Sequence, residues 1–203
     1  MITLYEFKLS GNCHKVRLML SLLKLPYTSI VVDGRNQEHK SPEFLRMNPF
    51  GQVPVLTDDA IVLRDSQAIL YYLALTYGRG AWLPEAPGEA AQVISWLSTA
   101  ANEVKHGPNT LRLHSRFGLP IDLAATRTIT ENLCRILETH LSAQPWLVGA
   151  LPSIADIAMY AYLALSPEGG WDLRPYPQLR AWLGRIRALP GYVGIPGMYE
   201  GHH

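Results

Sequence analysis

The side chains best suited to chemistry follow the first predicted strand, in segment 10–15 with the sequence Ser-Gly-Asn-Cys-His-Lys. Ser10 offers a hydroxyl, Asn12 an amide and Cys13 a thiol within a few residues. A cysteine in the first turn of a helix feels the positive end of the helix dipole, which can lower its thiol pKa. A serine hydroxyl near the same main-chain amides can instead hold the thiolate of a ligand. The alternative is purely structural, with Ser10 or Asn12 capping the helix and Cys13 packing inside it.

An acidic and a hydroxyl residue, Asp65 and Ser66, stand where a predicted strand passes into a helix. The first turn of a helix has N–H groups without intrahelical partners, so Ser66 could receive a ligand carboxylate while Asp65 meets an ammonium. Together the two residues fit the main-chain groups of an α-amino acid. Capping of the helix explains the same residue types without any ligand.

A proline, Pro54, lies at the entrance of the apolar strand 53–56 although proline cannot donate to a sheet ladder. Another group could therefore pair with that edge. If the Val53-Pro54 bond is cis, the turn exposes the amide and carbonyl of Val53 to an extended, peptide-like ligand. A proline that only begins an edge strand is the alternative.

The elements that must position these groups follow from the spacing of apolar residues and from turn signals. The pattern predicts strands at 1–7, 27–32, 53–56 and 60–63, with a tight hairpin at 57–59, and helices at 15–25, 42–47 and 66–77. The Ser41-Pro42-Glu43 sequence is typical of an N-cap followed by proline at the first helical position. The first part of the chain is therefore predicted to fold as βαβαββα.

The second part of the chain shows only helical periodicity after a connector rich in glycine and proline. A helix is predicted at 90–105, and after a break at Gly107-Pro108 a further helical stretch continues to about residue 116. Three more helices are predicted at 122–141, 153–165 and 177–188. We expect an α/β domain at 1–78, a linker at 79–88, an all-helical domain at 89–199 and a tag remnant at 200–203.

Composition excludes several classes of protein. The 203 residues are 48% hydrophobic and 17% charged, as expected for a globular chain. The net charge of +1 gives no excess of positive charge that would indicate binding to nucleic acid or to an anionic membrane. The longest apolar stretch, 157–165, is too short to span a membrane, and the N-terminus lacks a signal pattern. Cys13 and Cys134 lack metal-ligand spacing, so we expect no metal and a reducing cytoplasm.

These elements, in this order and followed by an all-helical half, resemble the glutathione transferase superfamily, whose first domain is thioredoxin-like. Segment 48–56, Asn-Pro-Phe-Gly-Gln-Val-Pro-Val-Leu, looks like the family's cis-proline loop, and segment 65–69, Asp-Ser-Gln-Ala-Ile, looks like its γ-glutamyl site. Segment 153–156, Ser-Ile-Ala-Asp, looks like the family's buried capping box, which is structural.

The resemblance implies that glutathione is the co-substrate and lies across the first domain. Val53, beside Pro54, pairs with the cysteinyl backbone of glutathione in this interpretation, and Ser66 and Asp65 hold the γ-glutamyl end. Asp65 stands where the family more commonly has Glu, one methylene longer. The other glutathione contacts that the resemblance implies are His39 and Lys40 at the glycine carboxylate and Gln52 as a polar contact.

Three residues compete for the activation of the thiol. The loop has no tyrosine, and Ser10 resembles the serine of the serine-type bacterial members. Cys13 lies near the position of the catalytic cysteine in the bacterial cysteine-type class. The sequence from Asn12 to Lys15 is similar to an asparagine-containing variant associated with disulfide reduction.

The free energy needed to ionise the bound thiol can be supplied by Ser10 aided by Asn12, without Cys13. Lowering a thiol pKa from about 8.5 by about two units requires roughly 2.7 kcal/mol. A charge-assisted hydrogen bond supplies roughly 1.5 to 3 kcal/mol and a helix dipole about 0.3 to 1. We therefore predict a transferase that activates the glutathione thiolate for attack on a small hydrophobic electrophile. The alternatives are a glutathione-dependent disulfide or peroxide reductase, through Cys13 or through two bound glutathiones, and a non-catalytic glutathione-binding protein.

The second domain is expected to supply the electrophile pocket around segment 105–109, Lys-His-Gly-Pro-Asn, where Gly107-Pro108 would kink the helix toward the cleft. His106 and Asn109 are the candidate contacts, against the alternative of a helix break with solvated polar ends. The resemblance also implies a homodimer that buries parts of the helices at 66–77 and 90–105.

Overall fold

The computed structural model describes residues 1–201. The predicted tag remnant at 200–203 therefore falls partly outside the described residues, since these exclude His202 and His203.

The first part of the chain forms a four-stranded mixed sheet in the order β2-β1-β3-β4. β2 runs parallel to β1, because a helix connects them, while β3 is antiparallel to both β1 and β4. The strands are β1 (Ile2–Glu6), β2 (Tyr27–Val31), β3 (Val55–Asp58) and β4 (Ile61–Arg64). The predicted βαβαββα unit is confirmed.

Eight α-helices accompany the sheet within residues 1–201, and no strand follows residue 64 in that range. They are α1 (Gly11–Leu22), α2 (Pro42–Met47), α3 (Ser66–Tyr77), α4 (Pro87–Ala101), α5 (Thr110–Phe117), α6 (Leu123–Ala143), α7 (Ile154–Ala164) and α8 (Pro177–Arg187). Short 3₁₀ turns lie at Glu38–Lys40 and Ser166–Gly169. The prediction of an all-helical second half is confirmed.

The first helix begins earlier than predicted. α1 begins at Gly11 rather than residue 15, because the Ser10 side chain caps it by accepting from the Cys13 N–H. The apolar pattern missed residues 11–14, since Asn12 is polar and His14 is a polar residue that the fold buries there. The helix ends at Leu22 rather than residue 25.

The predicted break at Gly107-Pro108 is wrong. Lys105–Asn109 form a π-helical turn that leads directly into α5, with Pro108 inside it. A wider turn accommodates the missing proline N–H without ending the helix. α4 spans Pro87–Ala101. It begins three residues earlier and ends four residues earlier than the predicted helix at 90–105.

The turn of the β3–β4 hairpin also differs from the prediction. Thr57 and Asp58 belong to β3, and the turn falls at Asp59 and Ala60. Asp59 has a φ of 48°, a left-handed conformation that aspartate tolerates. The carboxylate of Asp58 accepts a hydrogen bond from the Tyr72 hydroxyl at 2.9 Å, which ties β3 to α3.

α7 forms the centre of the molecule, and all of its residues are buried. It packs against α1 and α3 of the first part and against α4 and α8 of the second. The predicted capping box is present at its start, where Asp156 accepts from the Ser153 N–H at 2.8 Å and the Ser153 side chain accepts from the Ala155 N–H. Among residues 1–201, no helix is long and apolar enough to cross a membrane.

Candidate functional site

A polar cleft of about 520 Å³ lies between the sheet domain and the helices of the second part. It brings together eight residues that the sequence predicts for the site: Ser10, Asn12, His39, Lys40, Gln52, Val53, Asp65 and Asn109. A small pocket of about 60 Å³ shares several of these residues and adds Pro54 and Ser66 to its lining. Residues from five separate loops and helix ends thus converge on one place.

Two predicted residues line neither the cleft nor the small pocket beside it. The Cys13 side chain is fully buried beside the Ser10 side chain and the Phe7 main chain, and burial raises its thiol pKa to about 11. His106 is exposed on the π-helical turn, outside the cleft lining. Lys105 and Asn109, four residues apart, face the cleft instead.

Ser10 caps α1 and faces the cleft at the same time. Its Oγ accepts from the Cys13 N–H at 3.3 Å. Capping uses a lone pair of the oxygen, so the hydroxyl proton stays available to a ligand. The structural interpretation of Ser10 and the chemical one are therefore compatible.

Asn12 is held by a buried lysine that the sequence interpretation did not assign. The Lys15 ammonium donates to Asn12 Oδ1 at 2.9 Å, and the Lys15 side chain is almost completely buried. Because an ammonium can only donate, this bond assigns the amide oxygen to the lysine side and leaves the Asn12 NH₂ as a donor. Burial lowers the pKa of Lys15 to about 8, while the charge of Asp65 opposes that shift.

The loop before β3 is built to present Val53. The Val53-Pro54 bond is cis, as the sequence interpretation considered. The buried Asn48 braces the loop, since its Nδ2 donates to the Gln52 carbonyl at 2.7 Å and its Oδ1 accepts from the Phe50 N–H at 3.1 Å.

Lys40, beside this loop, already has structural partners. Lys40 Nζ donates to the carbonyls of Phe50 at 3.1 Å and Gly51 at 2.9 Å. Gly51 has a φ of 57°, and a Cβ there would lie 2.7 Å from the His39 carbonyl oxygen, so only glycine fits. His39 lines the cleft, and its buried Nδ1 has no hydrogen-bond partner within the described residues.

At the start of α3, Asp65 is the N-cap. Its Oδ1 accepts from the N–H groups of Gln67 at 2.9 Å and Ala68 at 3.2 Å. Asp65 is not glycine yet has a φ of 72°, a strained conformation of the kind that functional sites retain. Ser66 donates its hydroxyl to Gln67 Oε1 at 2.6 Å, so the main-chain N–H of Ser66 is the better donor for a carboxylate.

Several lining residues escaped the sequence interpretation. The lining residues that were not named as individual contacts are Phe7, Gly51, Gln67, Ala100, Ala101, Lys105 and Tyr162. Lys105 lies in segment 105–109, which was expected to supply the electrophile pocket. Gln67 and Lys105 adjoin predicted residues, so proximity in sequence could have suggested them. Tyr162 comes from the middle of α7, and no local signal marks it.

Both halves of the chain match models of known protein domains. Residues 9–76 match the model of the glutathione S-transferase N-terminal domain, and residues 120–190 match that of the C-terminal domain.

Individual relatives agree over nearly the whole chain. The chain is 32% identical over 204 residues to Glutathione S-transferase 3 of Zea mays, covering 94% of this chain and 91% of that protein. It is also 32% identical over 202 residues to the disulfide-bond oxidoreductase YfcG of Escherichia coli, covering 94% of this chain and 92% of that protein. The crystal structure of a glutathione S-transferase from Xanthobacter autotrophicus superposes with a TM-score of 0.89 at 32% identity, covering 97% of this chain and 98% of that one. The chain belongs to the glutathione S-transferase superfamily.

Proposed function

We propose that this protein is a glutathione transferase that stabilises the glutathione thiolate with Ser10 and directs it at a small electrophile bound against the second domain. The observation that carries this proposal is the placement of Ser10, whose side chain lines the cleft while its oxygen caps α1 by accepting from the Cys13 N–H. The resemblance of Ser10 to the serine of the serine-type members also supports the proposal.

The thiolate would lie where several hydrogen-bond donors and a buried positive charge meet. Ser10 and Asn12 supply side-chain donors, the first turn of α1 supplies N–H groups, and Lys15 supplies a buried positive charge. A charge-assisted hydrogen bond contributes roughly 1.5 to 3 kcal/mol, which corresponds to about one to two pKa units. The combination is sufficient to ionise a bound thiol at neutral pH.

The rest of glutathione fits the remaining lining groups. The main chain of Val53 is offered to the cysteinyl unit. Asp65 Oδ2 is free for the α-ammonium of the γ-glutamyl unit, and the Ser66 N–H for its carboxylate. His39 would bind the glycine carboxylate, with Lys40 and Gln52 beside it. Ala100, Ala101, Lys105 and Asn109 would contact the electrophile, and His106 would not.

Conjugation rates of Ser10→Ala and Cys13→Ala test the assignment. We expect Ser10→Ala to lower kcat/KM by about 10- to 100-fold across several electrophiles, because it removes a charge-assisted hydrogen bond. Cys13→Ala should retain activity within a few-fold, since the buried thiol does not face the cleft. Unchanged rates for Ser10→Ala would refute the role of Ser10.

A second candidate function is glutathione-dependent reduction of disulfides or peroxides. The similarity to the disulfide-bond oxidoreductase of Escherichia coli favours it, as does Asn12 in the loop. Burial of Cys13 argues against a mixed disulfide on that residue, because the thiolate is the reacting species. A reductase would then use two bound glutathiones. Reductase activity that survives Cys13→Ser, with no glutathione adduct on Cys13 by mass spectrometry, would support that version over the covalent one.

Three features of the whole chain complete the proposal. We propose the domain division at 1–78 and 89–199 with its linker at 79–88, a homodimer, and a cytoplasmic location. The location is supported by the two free buried thiols of Cys13 and Cys134, which a reducing compartment maintains. The dimer is supported by exposed apolar side chains on α3 and α4.

A further inference from the structure

The wall of the cleft that the second part of the chain forms carries a cation without a partner. Lys105 lines the cleft from the π-helical turn. Within residues 1–201 its ammonium makes no hydrogen bond or ion pair, unlike the ammonium of Lys40, which donates to two carbonyls. No group of the described chain therefore neutralises the charge of Lys105 by direct contact.

Asn109 stands beside Lys105 on the same face of the turn. The two residues are four apart, which is close to one turn of a π-helix, and both line the cleft. Gly107 and Pro108, between them, are buried, and a Cβ at Gly107 would lie 2.9 Å from Thr130 Oγ1 of α6. Close packing against α6 thus fixes a turn that brings an ammonium and an amide to the cleft.

The acidic side chains nearby do not compensate the charge of Lys105. Among the described residues, Asp65 is the one carboxylate in the cleft lining, and its Oδ1 caps α3 on the other side of the cleft. Glu103 precedes Lys105 by two residues but lies outside the lining, and Asn102 Nδ2 donates to it at 3.1 Å. An anion that pairs with Lys105 would thus have to come from a ligand.

The anionic groups of glutathione have other partners in the proposed function. His39 would bind the glycine carboxylate, and the Ser66 N–H would bind the γ-glutamyl carboxylate. Ser10 and Asn12 would hold the sulfur. All of these groups come from the first domain, so Lys105 remains for the second substrate.

We propose that the second substrate is a small electrophile that carries a carboxylate, bound by the ammonium of Lys105 and the amide of Asn109. The proposal rests on the proposed function of the cleft as a transferase site. With an aryl halide, the thiolate sulfur forms a bond to the ring carbon, and the halide leaves with the electron pair of the broken bond. The thiol proton has already gone to solvent. Lys105 moves no proton, and it holds the carboxylate so that the reacting carbon faces the sulfur.

Two chloronitrobenzene compounds of the same shape test this assignment. One carries a carboxylate para to the chlorine and a nitro group ortho to it, and the other has a neutral amide in place of the carboxylate. The ratio of their kcat/KM values measures the preference for the anion, and comparison between proteins cancels their different intrinsic reactivities. We expect Lys105→Met to lower this ratio by about 3- to 10-fold, because the carboxylate loses its charged partner. Lys105→Arg should keep most of the preference, and added salt should weaken the preference of wild type but not that of Lys105→Met.

Lys24→Met is the matched control for these measurements. Lys24 follows α1, is exposed and lies outside the cleft lining, so the variant should keep the wild-type ratio. Ser10→Ala should lower the rates with both compounds by the same factor and also keep the ratio. An unchanged ratio in Lys105→Met, or an equal fall in Lys24→Met, would overturn the proposal.

A binding measurement separates failure of this proposal from failure of the proposed function. The glutathione thioether of each compound is the product of conjugation, so calorimetry with the two thioethers needs no turnover. We expect wild type to bind the carboxylate thioether more tightly than the amide thioether, by a factor that falls about 3- to 10-fold in Lys105→Met. If wild type conjugates neither compound, the proposed function is refuted, while the ratio of the two Kd values still decides the role of Lys105. The same Kd ratio in wild type and Lys105→Met would refute that role.

Calorimetry with glutathione alone distinguishes a carboxylate of the electrophile from one of a second glutathione. A second glutathione would meet the same cation in the reductase described above. We expect one glutathione per chain in wild type and in Lys105→Met. A second glutathione that binds wild type and is lost in Lys105→Met would assign Lys105 to that peptide and overturn the proposal.

Discussion

Ser10 would use different atoms for its structural role in capping α1 and for its proposed chemical role. One lone pair of its oxygen caps α1, while the proton is left for a ligand. Asp65 divides its carboxylate in the same way, since Oδ1 caps α3 and Oδ2 remains free. Helix caps at the edge of a cleft can therefore serve as binding groups without losing their part in the fold.

Sequence reasoning at the residue scale found those residues of the cleft lining that local signals mark. Ser10, Asn12, Asp65 and Val53 could be predicted because a loop, a helix start or a proline marks them. Tyr162 could not, because its contact with the start of α1 depends on how two helices far apart in sequence pack together. Lys15 belonged to the loop motif, but its burial under Asn12 also depends on that packing.

His14 makes the folded state sensitive to acid. It is fully buried with Nε2 donating to the Val193 carbonyl at 2.8 Å, and burial lowers its pKa to about 4 from an ordinary value of 6.5. Between these values the unfolded chain binds the proton and the folded one does not, so stability is lost as the pH falls from about 6.5 to 4. The loss amounts to about 3 kcal/mol.

His14→Gln should flatten this dependence. Urea unfolding at several pH values between about 4 and 7.5 measures it, with the exposed His114→Gln as the matched control. The control should keep the wild-type slope. A wild-type slope in His14→Gln would mean that other groups cause the acid sensitivity.

At the scale of elements, the helices were predictable where their end signals are local. The start of α7 follows from Ser153 and Asp156, and that of α2 from Ser41 and Pro42. The π-helical turn at Lys105–Asn109 was not predictable, because glycine and proline usually signal a break. Here Gly107 instead allows the turn to pack closely against α6, since a Cβ at this position would lie 2.9 Å from Thr130 Oγ1.

The cap of α7 should matter far more for stability than an exposed cap. Asp156 is fully buried and accepts from the Ser153 N–H, the Leu147 N–H at 3.0 Å and Trp182 Nε1 at 2.9 Å. Asp156→Ala should lower the free energy of unfolding by about 3 kcal/mol or more, because several buried donors lose their acceptor.

Asp122→Ala is the comparison for this prediction. Asp122 caps α6 by accepting from the Ala125 N–H at 3.0 Å and is exposed, so its loss should cost about 1 kcal/mol. Chemical denaturation of both variants gives the two values. Equal losses would show that the buried network contributes no more than an ordinary cap.

At the scale of the whole molecule, the cleft exists because two units meet along α7. Loops of the sheet domain line one side of the cleft, and α4 and the π-helical turn line the opposite side. The sequence could predict the two units and their order from periodicity, since strands and helices have different apolar spacing. It could not predict which side chains of the second unit face the first.

The predicted dimer would cover apolar residues that are exposed on the single chain. Tyr71 and Leu75 of α3 and Ile94 of α4 are each at least 40% exposed. Light scattering should give a mass about twice 22.6 kDa. Leu75→Glu should shift the mass to that of one chain, because a charge would be buried in the interface.

Ile136→Glu provides the control for the dimer. Ile136 is exposed on α6, away from the expected interface, so the variant should keep the wild-type mass. A wild-type mass near 22.6 kDa would refute the dimer.

The most direct test of the central claim is the thiolate absorbance of glutathione bound to the wild-type protein and to Ser10→Ala, titrated from about pH 5 to 9. We predict a bound-thiol pKa about two units below the free value of about 8.5, and a rise of about one to two units in Ser10→Ala. Glutathione that binds the wild-type protein with the pKa of the free thiol would contradict the account.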